Sequence, residues 1–216
     1  MIENLNDNNQ IILIGKIADE CTLSHELYNE KFYNFKLECE RSSGNVDTLP
    51  ITISERLINV KNLQKDLMVK INGQIRSYNT ETKNNSKLQL IVFVKDIELF
   101  DNDENDIEHR NEVYLNGFIC KKPEYRETPR GRSICDLNLA INRAYYKSDY
   151  IPVIAWGRNA KYSGDQVVIG DNLELWGRFQ SREYVKKLSN DTVIKKIAYE
   201  VSIIKMDIHK DNNNKE

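Results

Sequence analysis

The feature that most limits what this chain can fold into is that it is written twice. Gln10-Ile11-Ile12-Leu13-Ile14-Gly15-Lys16-Ile17 recurs as Glu112-Val113-Tyr114-Leu115-Asn116-Gly117-Phe118-Ile119, with the two glycines 102 positions apart. Leu49-Pro50-Ile51-Thr52-Ile53-Ser54 recurs as Ile151-Pro152-Val153-Ile154-Ala155-Trp156 at the same offset, and Phe35-Lys36-Leu37 falls opposite Leu137-Asn138-Leu139. Val69-Lys70-Ile71-Asn72-Gly73 matches Leu173-Glu174-Leu175-Trp176-Gly177 at 104, a drift that a two-residue loop difference explains. Segments repeated in one order at one offset mean that a folding unit of about 100 residues is used twice. The expected division is residues 1–100, an acidic linker over 101–110, residues 111–208 and a short polar tail over 209–216. The linker rests on Asp101-Asn102-Asp103-Glu104-Asn105-Asp106, which offers almost nothing to pack.

Inside each unit the apolar period is that of strands. Leu173, Leu175, Gly177 and Phe179 share one face, while Glu174, Trp176, Arg178, Gln180, Arg182 and Tyr184 share the other. Asp136 to Asn142 alternates in the same way, and Thr128-Pro129-Arg130-Gly131 signals a turn between two strands. Gly15, Gly73, Gly117 and Gly177 sit within strand patterns, where glycine marks a bulge, a bend or a close backbone approach. Helix is expected only over Ser54 to Gln64 and Gly157 to Val168, at equivalent places after the third strand. These signals predict an all-β chain of two tandem five-stranded OB-fold barrels, each with one short helix after strand three. An SH3-like barrel or a small sandwich has a similar signature.

Composition removes other classes. Lys plus Arg number 31 against 33 Asp plus Glu, so the chain as a whole is not a uniformly basic polyanion binder. No apolar run approaches the roughly 18–20 residues of a membrane span. Met1-Ile2-Glu3-Asn4-Leu5-Asn6-Asp7 lacks the basic and apolar regions of a signal peptide. Cys21, Cys39, Cys120 and Cys135 have no paired spacing, which favours reduced thiols in the cytoplasm over disulfides or a zinc site. His25, His109 and His209 are isolated, and no nucleophile triad or phosphate-binding loop is present, so neither catalysis nor a cofactor is expected.

The near-neutral total hides an asymmetry. Residues 1–106 carry 12 Lys and Arg against 18 Asp and Glu; residues 107–216 carry 19 against 15. The aromatic residues divide the same way. Trp176 and Tyr184 share a strand face with Arg178 and Arg182, Tyr150 and Trp156 share one parity, and Tyr145-Tyr146 follows a strand beside Arg143 and Lys147. Rings interleaved with cations suit an unpaired polynucleotide, whose bases stack on rings while Arg and Lys neutralise phosphates. Arg126, Arg130, Arg132, Arg158 and Lys186 complete the candidate nucleic-acid-binding set. Any one of these rings could equally be half-buried packing, and aromatic residues with Arg also mark protein–protein interfaces, an alternative that applies to Trp176 and Tyr162. In the first copy, Ser43, Thr48 and Ser54 stand opposite Tyr145, Tyr150 and Trp156, so it is expected to keep the fold and lose the binding face.

The second unit resembles the bacterial single-stranded DNA-binding protein family from Asn111 to about Met206. The resemblance is carried by Asn111-Glu112-Val113-Tyr114-Leu115-Asn116-Gly117, Pro123-Glu124-Tyr125-Arg126, Leu139-Ala140-Ile141-Asn142-Arg143, Ile154-Ala155-Trp156-Gly157 and Gly177-Arg178-Phe179-Gln180-Ser181-Arg182-Glu183-Tyr184, in that order. The first unit resembles the family only through its strand skeleton. The resemblance implies an OB-fold that binds single-stranded DNA, with stacking aromatics at Tyr145, Tyr150, Trp156 and Tyr184, and roles in replication, recombination and repair. Tandem-barrel members of the family assemble as dimers, which implies a homodimer with four barrels. Lys210-Asp211-Asn212-Asn213-Asn214-Lys215-Glu216 lacks the acidic, hydrophobic tip by which typical members recruit replication and repair proteins, so that recruitment is not expected. The alternative reading is a primosome-type accessory protein that uses its barrels mainly to dock other proteins.

Overall fold

The alternating residues form strands because each strand can turn its apolar side inward and its polar side to water. A computed structural model describes residues 7–82, 85–99, 110–187 and 193–210. The linker and the end of the tail lie largely outside these. The first repeat contains β1 (Asn9–Ile17), β2 (Thr22–Leu27), β3 (Glu30–Glu40), β4 (Val46–Ser54), β5 (Met68–Thr82) and β6 (Asn85–Leu99). The second contains β7 (Asn111–Ile119), β8 (Glu124–Glu127), β9 (Ser133–Asn142), β10 (Ser148–Trp156), α1 (Gly157–Gln166), β11 (Asn172–Lys187) and β12 (Val193–His209).

Strand pairing closes each repeat on itself. β1 pairs antiparallel with β5 and β3, β3 with β4, and β5 with β6, and a parallel β4–β6 contact completes the ring. The second ring repeats this order through β7, β9, β10, β12 and β11, again with one parallel contact, β10–β12. Short β2 and β8 extend β3 and β9 outside the rings, so each repeat has five closing strands and a sixth at its edge. Leu37, Leu49, Ile51 and Ile71 fill the first ring; Leu139, Ile151, Leu173, Leu175 and Phe179 fill the second.

The expected helix over Ser54 to Gln64 does not form; a single 3-10 turn, Val60–Asn62, takes its place. Leu57 N–H donates to Ser54 O, Arg56 N–H to Ser54 Oγ and Lys61 N–H to Asn59 Oδ1, local bonds that compete with a helical ladder. Beyond Ser54, only Leu63 of this segment is buried. In the second repeat, α1 buries Ala160 and Ser163 and sets Gly164 against Tyr125. The connection after strand three runs over 55–67 in one repeat and 157–171 in the other, which is the origin of the two-residue drift.

The rings are joined edge to edge. β1 lies antiparallel to β7 with Ile11 opposite Val113, and the repeat offset exchanges the pairs Asn9–Leu115 and Leu13–Asn111. The seam is therefore a pseudo-two-fold, the arrangement of a symmetric dimer within one chain. Two polar clamps obey the same symmetry. Asp47 accepts the Ser181 N–H at 2.8 Å and two Arg41 nitrogens. Asp149 accepts the Ser77 N–H at 2.8 Å and Arg76 Nη1 at 2.8 Å, with Arg143 Nη1 at 3.4 Å. Ser181 and Ser77 return the contact, their Oγ atoms accepting from Thr48 N–H and Tyr150 N–H.

Two details explain sequence features. The β11–β12 register slips between Trp176 and Gly177, a bulge at one of the strand glycines. A Cβ on Gly177 would lie 2.3 Å from Ser202 O, so Gly177→Ala is expected to destabilise the chain by about 1–3 kcal/mol through enforced backbone movement. Thermal melting of the variant beside the parent checks this. The cysteines are free, and burial pushes the Cys21 and Cys135 thiols up to about 11, so they stay protonated near neutral pH. Among the described residues no helix is long and apolar enough to cross a membrane.

Candidate nucleic-acid interface

The outward side of β10 carries Tyr150, Pro152 and Trp156, with Ile154 on the same side but buried, because Ile151, Val153 and Ala155 alternate with them into the core. Across β9, Trp156 faces Ile134 and Pro152 faces Asn138; beyond β9, Arg126 of β8 faces Ile134. On the other flank, Trp156 Nε1 donates to Ser202 Oγ of β12 at 3.1 Å, which fixes the indole on the sheet surface with 40% of the residue exposed. Tyr150 is 49% exposed. Tyr184, farther along β11, lines one cleft of about 340 Å³ with Pro152, Ile197 and Tyr199. Tyr150, Trp156 and Tyr184 thus fall on one continuous surface of the second ring.

The turn between β9 and β10 extends that surface. Tyr145 and Tyr146 both have left-handed backbones, φ 60° and 55°, in a loop closed by Arg143 N–H donating to Lys147 O. Each such non-glycine conformation costs on the order of 1 kcal/mol. The strain does not serve packing, because Tyr145 is 90% exposed and Tyr146 is fully exposed. Tyr146, which the sequence sets with Tyr145 beside Arg143 and Lys147, is the more exposed of the two. Pro152 was signalled too, by its recurrence opposite Pro50.

The cations divide into two groups. Among the described residues Arg130, Arg132, Lys147 and Arg158 are exposed and carry no ion pair. Arg130 and Arg132 sit on the β8–β9 hairpin, held by Arg132 N–H donating to Thr128 Oγ1, and Arg158 opens α1 just after Trp156. The other group is already engaged. Arg126 bonds Asp136 at 2.7 Å, Arg182 bonds Glu200 at 3.2 Å, and Arg143 joins the inter-ring clamp on buried Asp149. The bond to Glu200 raises the pKa of the Arg182 guanidinium. Lys186 has a described backbone position on β11, opposite Ile194, and its side chain lies outside the described residues.

Two expected site residues, Trp176 and Arg178, sit on the half of β11 before Phe179. Trp176 shares strand parity with Tyr184 but lies eight residues away on β11, about 27 Å at strand rise. Its ring packs on Tyr114 at 5.3 Å, and Lys205 Nζ lies 4.4 Å from its centroid, on the sheet formed with β7. Arg178 is half-buried beside Arg41 and Asp47 of the first ring, and its buried Nε has no hydrogen-bond partner among the described residues. Burial, then the Arg41 charge, lowers its pKa. Arg178 lies opposite Ser202 on β12, the residue that accepts from Trp156 Nε1, so it stands one strand from the indole, whereas Trp176 lies opposite Lys205.

Known proteins resemble the second ring in sequence and the whole chain in fold. Residues 110–207 match the Single-strand binding protein family. Single-stranded DNA-binding protein 3 of Clostridium acetobutylicum is 32% identical over 83 residues, 36% of this chain and 58% of that protein. Single-stranded DNA-binding protein 1 of Staphylococcus aureus is 35% identical over 80 residues, 34% and 48% of the two chains. The matched segments thus span about half to three fifths of these relatives. The crystal structure of the single-stranded DNA binding protein from Thermus aquaticus superposes over 96% of both chains, with a TM-score of 0.75 and 18% identity, a likeness of fold along the whole chain. The second ring, residues 110–207, is therefore the part of this chain that is similar to the single-strand binding protein family.

Proposed function

We propose that this chain binds single-stranded DNA without reading its sequence and protects it during replication, recombination and repair. The observation that carries this reading is the continuous outer surface of β10 and its flanks. There Tyr145, Tyr146, Tyr150 and Trp156 are exposed, on the ring that also carries Arg130, Arg132, Lys147 and Arg158, exposed and without an ion pair among the described residues. Flat rings take bases of any identity, each stacked base contributing about 1–3 kcal/mol, while the cations hold the backbone. A duplex hides its bases, so the same surface gains only the charge term from it. The role is binding rather than catalysis, and a homodimer would present four rings, multiplying moderate contacts along one strand.

A salt series tests the balance of stacking and charge. With Arg130, Arg132, Lys147 and Arg158 on phosphates, log K for single-stranded DNA should fall against log salt with a slope of about −3. Fluorescence titrations of an oligo-dT and a duplex of equal length should separate by at least about tenfold, the value of one stacked base or more. Equal affinity for the two, or none for either, would favour the docking role of a primosome-type accessory protein.

A further inference from the structure

One carboxylate lies in the middle of the surface assigned to nucleic acid. Glu200 of β12 is 6% exposed, and β12 runs between β10 and β11. Tyr199 packs against the core and Val201 is fully buried in it, so Glu200 and Ser202 share the outward side. Ser202 takes the Trp156 Nε1 hydrogen bond, which sets Glu200 one outward position from the anchor of the indole. On β10, Pro152 precedes the parallel pair Val153–Val201 as Glu200 does on β12. On β11, Gln180 lies opposite Glu200.

Glu200 is fully engaged. Its Oε1 accepts from Gln180 Nε2 at 2.9 Å and from Arg182 Nε at 3.2 Å, and its Oε2 accepts from Arg182 Nη2 at 3.2 Å. Departure of the guanidinium would leave a charge unpaired in a desolvated place, so Arg182 is held to Glu200 and does not follow a phosphate. The pair thereby cancels one cation at the centre of the face. Ring closure does not demand this pair. In the first repeat Ile91 stands at the equivalent place, opposite Arg76, as Glu200 stands opposite Gln180. A buried ion pair is a weak source of stability, and an apolar residue serves the same fold. The carboxylate is therefore explained by the surface it faces rather than by the ring it closes.

We propose that Glu200 is a specificity residue, whose charge, with Arg182 tied to it, keeps phosphates off the centre of the face. A nucleic acid lies there only with its bases turned toward the sheet. A single strand meets that condition by splaying its bases onto the rings, whereas a duplex turns its backbone outward and is disfavoured. Repulsion built against the wrong partner is a general route to specificity. This rests on the reading of the second ring as a single-strand binder.

The test compares Glu200→Gln with the parent, in the full chain, on oligo-dT and on a duplex of equal length. Glutamine keeps an acceptor for Gln180 and Arg182 and removes the charge. At about 50 mM salt the variant should bind the duplex at least about threefold tighter, with a salt slope steeper by about 0.9, one added phosphate contact. Oligo-dT, whose bases already occupy this ground, should gain less, so the preference for single strands narrows. Glu200→Ala makes the same charge change without an amide to place; measured well below its melting temperature, it serves if glutamine disturbs the fold. A preference that is unchanged or widened in both variants would overturn the proposal. A loss of oligo-dT binding at an unchanged melting temperature would overturn it too, making Glu200 a direct contact to the strand. A parent chain that does not bind oligo-dT, or binds the duplex equally, would instead remove the reading of the second ring.

Discussion

Replacing Trp156 and Tyr184 together by alanine is expected to weaken binding of oligo-dT at least about tenfold while the ring stays folded. The two residues lie on one surface, Trp156 anchored by its bond to Ser202 and Tyr184 set beside Pro152 in the cleft. At about 1–3 kcal/mol for each base stacked on a ring, two losses multiply to well beyond tenfold, so the stated value is a lower bound. Both side chains are partly exposed, so their truncation leaves the core formed by Ile151, Val153, Leu175 and Phe179 untouched. Titration by anisotropy of a labelled oligonucleotide, beside thermal melting of the variant, measures the two effects separately. An unchanged affinity would remove base stacking from this face. Trp176→Ala serves as the contrast: its ring packs on Tyr114, so stability should fall and affinity should hold.

The second large effect concerns the seam. Asp149 is fully buried and accepts hydrogen bonds from Ser77 N–H, Arg76 and Arg143, so one carboxylate ties the first ring to the second. Asp149→Ala removes the acceptor and leaves Arg76 and the Ser77 amide without it in a desolvated place. Breaking a buried pair from one side typically costs about 3–5 kcal/mol. For a chain of this size that corresponds to a fall in melting temperature of about 6–20 °C. Asp47→Ala should do the same at the mirror position, where Arg41 and the Ser181 amide lose their partner. Differential scanning calorimetry checks both. A shift within about 2 °C, the value of less than 1 kcal/mol, would mean that the clamps contribute little and that β1–β7 pairing alone joins the rings.

The clamps were partly legible in the sequence. Arg41 and Arg143, and Asp47 and Asp149, recur at the 102-residue offset, while Ser77 and Ser181 recur at 104. Read only for its apolar positions, the repeat reveals strands and cores; read also for polar recurrences, it marks groups that a duplicated seam requires twice. Asn9 and Asn111 belong to the same class. Each side-chain amide exchanges two hydrogen bonds with the backbone, at Ile75 and Phe179 respectively, where the ladder to the neighbouring strand runs out.

Alternation and duplication alone determined that this chain is built of strands, twice, with glycines where strands bulge. Those are local matters of side-chain period and backbone sterics, which each segment carries within itself. Which outward residues meet was decided only by the tertiary structure. Trp156 and Trp176 have the same kind of strand position, yet one lies at the surface two residues before the exposed Arg158 and the other packs against Tyr114 and Lys205. Arg143 carries the charge expected of a phosphate contact, but Asp149 lies closer to it. Strand parity says which side of a strand a residue takes; ring closure and the joining of two rings say what lies opposite, and burial and pairing follow from the neighbour.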